Sequence, residues 1–304
     1  MGAFLRSLVA GAVVSGTPLL YATLAELLSQ RAGVVNLGLE GVMLVDAVSG
    51  FIATEQTGSA AIGVVAAAFA GGLFNLVFAF LVVTRRANQL ATGLALLFAG
   101  VGVSALMGAR YVGSPIAGLP ELRIPLAADV PVLGRALFAH DALVYVAVPL
   151  AILMWWTLRS TRWGLSVRAV GENPVASFAA GKDPRVLQYQ ALFVAGMLAG
   201  IAGAHLSLGV ARTWSEWMTA GRGFVAVALV IFSRWNPLRA VGGAVLFGGP
   251  ISLQLLLQAR GVPISPFVLD MLPYVLSLAV LILARGAHRS AAPASLGRVF
   301  QGTS

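Results

Sequence analysis

Residues 33–46 read Gly33-Val34-Val35-Asn36-Leu37-Gly38-Leu39-Glu40-Gly41-Val42-Met43-Leu44-Val45-Asp46. Three glycines, one amide and two carboxylates interrupt an otherwise aliphatic run. The stretch lies between two uncharged segments, 7–25 and 56–84. The first covers about 29 Å as a helix, enough to cross a hydrocarbon core. A carboxylate at mid-bilayer costs about 2.5–3.5 kcal/mol on insertion scales, so Glu40 and Asp46 must face protein or a wet cavity. On a helix Asn36 and Glu40 would share a face at i, i+4. Asp46 falls about 240° round from Glu40, so the two acids form no dyad. The glycines and polar residues look like interrupted helix. We therefore expect 33–54 to dip in and return, giving eight spans with the N-terminus inside. A full crossing by 41–54 would instead give nine spans with the N-terminus outside.

Working outward, the 304 residues are 59% hydrophobic and 10% charged, too few charges to cover a water-soluble surface. Further uncharged runs occupy 87–109, 142–158, 186–211 and 240–259. Two shorter ones, 223–233 and 271–284, are bounded by Gly or Pro, as in broken or tilted helices inside a bundle. The first run reads as a span rather than a signal peptide, since no small-x-small site follows it. The expected fold is an all-α polytopic bundle of about 8–10 transmembrane helices with a broken or re-entrant segment. Residues 1–285 form one membrane domain and 286–304 a polar tail.

The net charge is +9, and Lys182 is the only lysine among 20 basic residues. The arginines form no nucleic-acid-binding stripe. They alternate between loops instead, and the positive-inside rule puts 85–86, 159–185, 234–239 and the C-terminus in the cytoplasm of an inner-membrane protein. Tryptophans 155, 156, 163 and 235 then lie near inner boundaries, and 214 and 217 near an outer one, as interface anchors do.

Enzyme chemistry finds no footing. No cysteine is present, so there is no disulfide framework, thiol nucleophile or thiolate metal site. Lys182 lacks the glycines and hydroxyl of a phosphate-binding loop. Gly221-Arg222-Gly223 resembles a dinucleotide fingerprint only weakly, since it opens a span and follows no strand. His140, His205 and His288 lie in separate segments without ligand spacing, and His205 reads as a packed or hydrogen-bonded helix residue. No cofactor and no metal are expected. The polar residues within spans, Asn36, Glu40, Asp46, Asn75, Asn88 and Thr92, are candidates to line a translocation path; helix–helix hydrogen bonding or capping would explain them equally. In the basic loop, Gly171-Glu172-Asn173-Pro174 breaks the chain before a short helix-prone run, 175–180, ended by Gly181. A short helix on the inner face suits docking of a peripheral partner.

These stretches together resemble a known family. Residues 34–44, Ala87-Asn88-Gln89-Leu90-Ala91-Thr92-Gly93, and Arg168 to Pro174 with Ala180-Gly181 match it in order. So do Gly221 to Leu238 and Leu272-Pro273-Tyr274. They are similar to the permease subunits of type II ABC importers for simple sugars and nucleosides, a superfamily that also serves branched-chain amino acids. The resemblance implies a chain that moves solute while separate ATP-binding subunits hydrolyse ATP. It implies a second permease subunit, usually a longer sister in the nucleoside group, with a homodimer as the alternative, and an extracytoplasmic solute-binding protein. It also implies that Arg168, Gly171, Glu172, Asn173, Pro174, Ala180 and Gly181 belong to the coupling helix that sits on the ATPase. Asp46 departs from the family pattern, where many relatives carry a small or apolar residue. A branched-chain amino acid permease is the alternative within the class, and a proton-coupled transporter using Glu40 or Asp46 is the alternative from another class.

Overall fold

A computed structural model of the chain describes residues 2–123, 134–262, 265, 268, 271–283 and 292–297. The helices, in chain order, are α1 (Gly2–Arg31), α2 (Leu39–Thr57), α3 (Ala60–Ala79), α4 (Gln89–Gly108), α5 (Gly134–Phe138) and α6 (Ala142–Ser160). There follow α7 (Arg162–Glu172), α8 (Pro174–Ala179), α9 (Pro184–Ala204), α10 (Arg222–Phe232), α11 (Pro237–Ala259) and α12 (Leu272–Leu283). α3 and α9 run on into π-helical turns, Phe80–Thr84 and His205–Val210. Six helices among the described residues are long and apolar enough to cross a membrane. Two short strands, β1 (Glu121–Arg123) and β2 (Ala139–Asp141), pair antiparallel. They lie beside the start of α6, where the Asp141 side chain accepts from the N–H of Leu143 and Val144.

The expected dip and return of 33–54 is not what forms. Leu39–Thr57 is one unbroken helix of 19 residues, so the interruption lies before it, in 32–38. Its two buried acids do not break it, because Glu40 meets donors outside the helix and Asp46 is enclosed by α3 and α9. The ends of the bundle locate α1. Arg31 donates to the Trp235 carbonyl, and Gln188 to that of Ala32, at the same end as the Thr84–Tyr189 and Trp163–Gln190 contacts. The beginning of α1 lies at the opposite end, where Ser252 donates to the Leu8 carbonyl and Arg260 stacks on Phe4. Helix α1 therefore traverses the bundle from end to end.

α1 is the central post, packed by α11, α9, α10 and α6, while α2 packs on α3, α9 and α4. Lipid offers helices no hydrophobic drive to associate, so close backbone approach must hold them together. Small residues allow it. A Cβ on Gly196 of α9 would collide with the Gly71 carbonyl of α3, one on Gly100 with Gly41, and one on Gly248 with Ala12 and Gly16. Large apolar side chains such as Phe69, Phe98, Leu106 and Leu153 point outward, as a lipid- or subunit-facing surface requires. Two expected interface anchors are core residues instead. Trp214 is fully buried with Phe51 and Tyr111, and the buried Trp235 donates its indole N–H to Gln30. His205 is buried and hydrogen-bonds Asp141 at 3.0 Å, in line with its reading as a structural residue.

The glycine contacts predict that Gly196→Val forces α3 and α9 apart. Overpacking of this kind costs about 1–3 kcal/mol. Thermal unfolding of purified protein in mild detergent will show a lowered midpoint, while Gly242→Val, with open space around its Cα, will leave it unchanged.

Candidate functional site

α10 has 11 residues and covers only about 16 Å, half the hydrocarbon thickness. Its C-terminal end leads to Trp235 at the arginine-rich end of the bundle, so its first turn lies near mid-membrane. That turn exposes backbone N–H groups with no helical partner, a costly state away from water. Glu40, in the first turn of α2, supplies the acceptors. Its Oε1 accepts from the Thr219 hydroxyl at 2.5 Å and the Gly221 N–H at 2.6 Å, and its Oε2 from the Gly223 N–H at 2.5 Å. The positive end of the α10 dipole faces the same carboxylate, and the Arg222 guanidinium adds opposite charge. Glycine is required at both donors. Gly221 has φ +78°, and a Cβ on Gly223 would lie 2.7 Å from the Glu40 backbone nitrogen.

The linker before α2 is held by a second polar cluster. Asn36 donates its side-chain amide to Asn75 at 2.8 Å and accepts from the Gly38 N–H at 2.9 Å. Asn75 donates in turn to the Leu192 carbonyl of α9 at 2.6 Å. The Asn36 N–H reaches Glu26 Oε1 at 3.2 Å, and Gln30 donates to the same oxygen at 2.7 Å. Asn36 thus lies outside the helix, and the expected i, i+4 face with Glu40 does not exist, because α2 begins only at Leu39. Asn88 is exposed and caps α4 through the Ala91 N–H at 3.0 Å. Thr92 is buried on α4 beside Gly93, which packs against Leu37 and Gly38. Asp46 is fully buried with no hydrogen-bond partner for either oxygen, wedged where α3 and α9 bring Gly71 and Gly203 to α2.

None of these six residues lines the cavity that opens beside the start of α10. That cavity, about 410 Å³, is lined by Leu19 of α1, Trp217, Ala220 to Arg222, Phe224, Val225, Ile251, Gln254 and Tyr274. It combines three aromatic rings with a guanidinium, an amide and a phenol, the mixture by which small polar solutes are gripped. The loop forming its wall holds Arg212, Trp217 and Ala220 at positive φ, backbone conformations that cost energy and persist where surrounding structure imposes them. Tyr274 donates to the Ala220 carbonyl at 3.0 Å and braces that loop. Trp217, Gln254 and Tyr274 were not singled out from the sequence as solute contacts, although Tyr274 stands in a matched block.

At the arginine-rich end, α7 and α8 meet at Asn173, and α8 is the short helix expected over 175–180. Asn173 caps α8 by accepting from the Ala176 N–H at 3.0 Å, Pro174 takes the first position, and Gly181 ends the turn at φ +78°. Val175 and Phe178, one turn apart, are 52% and 46% exposed and present an apolar face. Gly171 packs directly on the Arg31 carbonyl and Gly33, so α7 abuts the linker leading to Glu40. Glu172 is exposed and accepts the Ala294 N–H at 3.1 Å. Residues 292–297 of the tail dock here, with Ser295 bonded to the Gly171 carbonyl at 2.6 Å.

A polytopic helical bundle with a broken helix meeting a carboxylate at mid-membrane defines the class of membrane transport proteins. Residues 8–284 match the family model described as branched-chain amino acid transport system / permease component, and the chain belongs to that family. It is a multi-pass membrane transport component. It is 38% identical over 86% of its length to TsgC13 of Haloferax volcanii, whose name provisionally assigns it to glucose ABC transport; the match covers 81% of TsgC13. It is 32% identical to the nucleoside ABC transporter permease NupC of Lactococcus lactis subsp. cremoris, over 93% of each chain. It is 30% identical to the guanosine ABC transporter permease NupQ of Bacillus subtilis, over 96% of each. A second guanosine permease of that organism, NupP, matches at 25% identity over 88% of this chain and 78% of its own length. No solved structure matches.

Of the buried acids, Glu40 and Asp46 are expected to behave oppositely. Glu40→Ala strips charge-assisted bonds from three donors, at about 1.5–3 kcal/mol each, and will lower the unfolding midpoint in detergent sharply. Asp46→Asn is nearly isosteric and strips no hydrogen bond, so its midpoint will equal or exceed that of the parent.

Proposed function

We propose that this chain is the membrane-spanning subunit of an ATP-driven importer that carries a nucleoside or simple sugar into the cytoplasm across the inner membrane. The observation that carries the solute class is the cavity beside α10. Its described lining offers aromatic faces and hydrogen-bonding groups, with Arg222 the single charged residue. A nucleoside base or sugar ring stacks on such rings and bonds such groups. An amino acid would bring an ammonium for which this lining holds no carboxylate, which disfavours the branched-chain amino acid reading. The names of TsgC13, NupC and NupQ agree with a sugar or nucleoside. Proton coupling is disfavoured too, since Glu40 is tied by three donors and Asp46 has no hydrogen-bond partner to relay to.

The arginine-rich end faces the cytoplasm in this reading, with the C-terminal tail, and α8 is the contact for an ATP-hydrolysing subunit. Val175 and Phe178 supply apolar contact, while Arg168, Gly171, Glu172, Asn173, Pro174, Ala180 and Gly181 shape the element that carries them. Movement of α8 passes to α7, through the Gly171–Gly33 contact to the 33–38 linker, and so to Glu40 and the start of α10. Import is then a shift of population between outward- and inward-open bundles, driven by the different affinity of the ATPase for each. A second, longer permease completes the pair, supported by the two guanosine permeases of Bacillus subtilis that this chain matches. A separate binding protein delivers solute from outside.

Mild-detergent purification from the native membrane, read by mass spectrometry, tests this. The parent chain brings down an ATP-binding subunit and a second permease. Phe178→Asp loses the ATP-binding subunit and keeps the second permease. A chain that emerges alone and takes up solute on a pH gradient in liposomes overturns the proposal. In vesicles with the full complex, Trp217→Ala raises KM for guanosine or glucose about tenfold or more, the loss expected of one stacking partner at about 1–3 kcal/mol.

A further inference from the structure

A second cavity, about 620 Å³, opens at the arginine-rich end between α1, the end of α6, α7 and the turn joining α10 to α11. Five of its lining residues are arginines: Arg31, Arg159, Arg168, Arg234 and Arg239. No carboxylate lines it among the described residues, and Arg31, Arg159, Arg168 and Arg239 form no salt bridge to any described acid. Arg31 and Arg168 repel each other, and Glu172, outside the lining, acts on Arg31 as an opposing charge. Arg31 is held in place by its two bonds to the Trp235 carbonyl. The Nε of Arg168 is buried without any hydrogen-bond partner. The N-terminal end of α11, at Asn236 and Pro237, opens into the same space and adds the positive end of a 23-residue helix.

So many like charges in one cleft repel unless an anion sits between them. The planar forks of arginine match the oxygens of a phosphate better than those of any other common anion except carboxylate. The remaining wall decides between a free phosphate and a lipid. Trp155 and Leu158 of α6 line the cleft as an apolar surface at the level where the helix leaves the membrane, with Arg159 stacked over Trp155 at 5.5 Å. A charged base joined to an apolar flank is the shape of an amphiphile's headgroup region.

We propose that this cleft binds the phosphate of an anionic phospholipid from the inner leaflet. Arg31 and Arg168 form its base, Arg159 and Arg239 its exposed rim, and Trp155 the apolar flank. The proposal rests on the cytoplasmic placement of this end and not on the identity of the solute or the ATPase contact.

Native mass spectrometry of the purified full chain, titrated with phosphatidylglycerol or phosphatidylcholine, tests it without any partner or solute. The parent retains phosphatidylglycerol in preference to phosphatidylcholine. The double variant Arg159→Gln, Arg239→Gln weakens phosphatidylglycerol binding about thirtyfold, as removal of two surface arginines should. Both positions are exposed, so folding is preserved, and Arg162→Gln, exposed but outside the cleft, leaves binding unchanged. Equal retention of the two lipids overturns the proposal, as does binding of inorganic phosphate with no lipid preference. So does a double variant that binds phosphatidylglycerol as tightly as the parent.

Discussion

A carboxylate in the middle of a membrane needs donors, and a helix that begins there needs an acceptor. In this protein each solves the problem of the other. Glu40 receives the Thr219 hydroxyl and the N–H groups of Gly221 and Gly223, the otherwise unpaired start of α10. This one junction permits a half-length helix in the bundle. It also sets the position of the loop before α10, and with it the walls of the cavity that Trp217, Arg222, Gln254 and Tyr274 line. The solute-sized space exists because α10 stops short, and α10 can stop short because Glu40 meets its end.

The surrounding helices keep the junction in register. Backbone contact between Gly41 and Gly100 brings α4 tightly against α2, and contact between Gly71 and Gly196 brings α3 against α9. The linker before α2 is fixed by Asn36, Asn75 and Glu26, which draw on α1, α3 and α9 together. That linker also touches α7 through Gly33 and Gly171. A displacement of α8 therefore has a short, packed route to the mid-membrane site, and packed elements of this kind switch between discrete arrangements rather than bending gradually.

Much of this was legible in the residues. Uncharged runs located the long spans. The short run 223–233 bounded by glycine announced a broken helix, which is α10. Asn173-Pro174 and Gly181 announced a capped short helix, which is α8. Glu40 stood out because a carboxylate there must have partners. What those partners would be was not legible, because Thr219 and Gly223 lie about 180 residues away and chain spacing carries no such information. The dip and return of 33–54 was misread for a related reason. Glycines in a membrane helix mark close approach of neighbours as often as a break, and Gly41 serves the first purpose. Trp214 and Trp235 misled similarly, since their proximity to span ends said nothing about whether the connecting segments that carry them turn inward. The arginine cleft was also out of reach, as it gathers residues from four separate segments.

The central claim is that the Glu40 carboxylate and the start of α10 hold each other in place. A double-mutant cycle on Glu40→Ala and Thr219→Val, read by thermal unfolding of the purified chain, measures that interaction directly. The account predicts a coupling of about 1 kcal/mol or more, because each substitution removes one side of the same short hydrogen bond. Two effects that simply add would contradict it, and would leave α10 anchored by something other than Glu40.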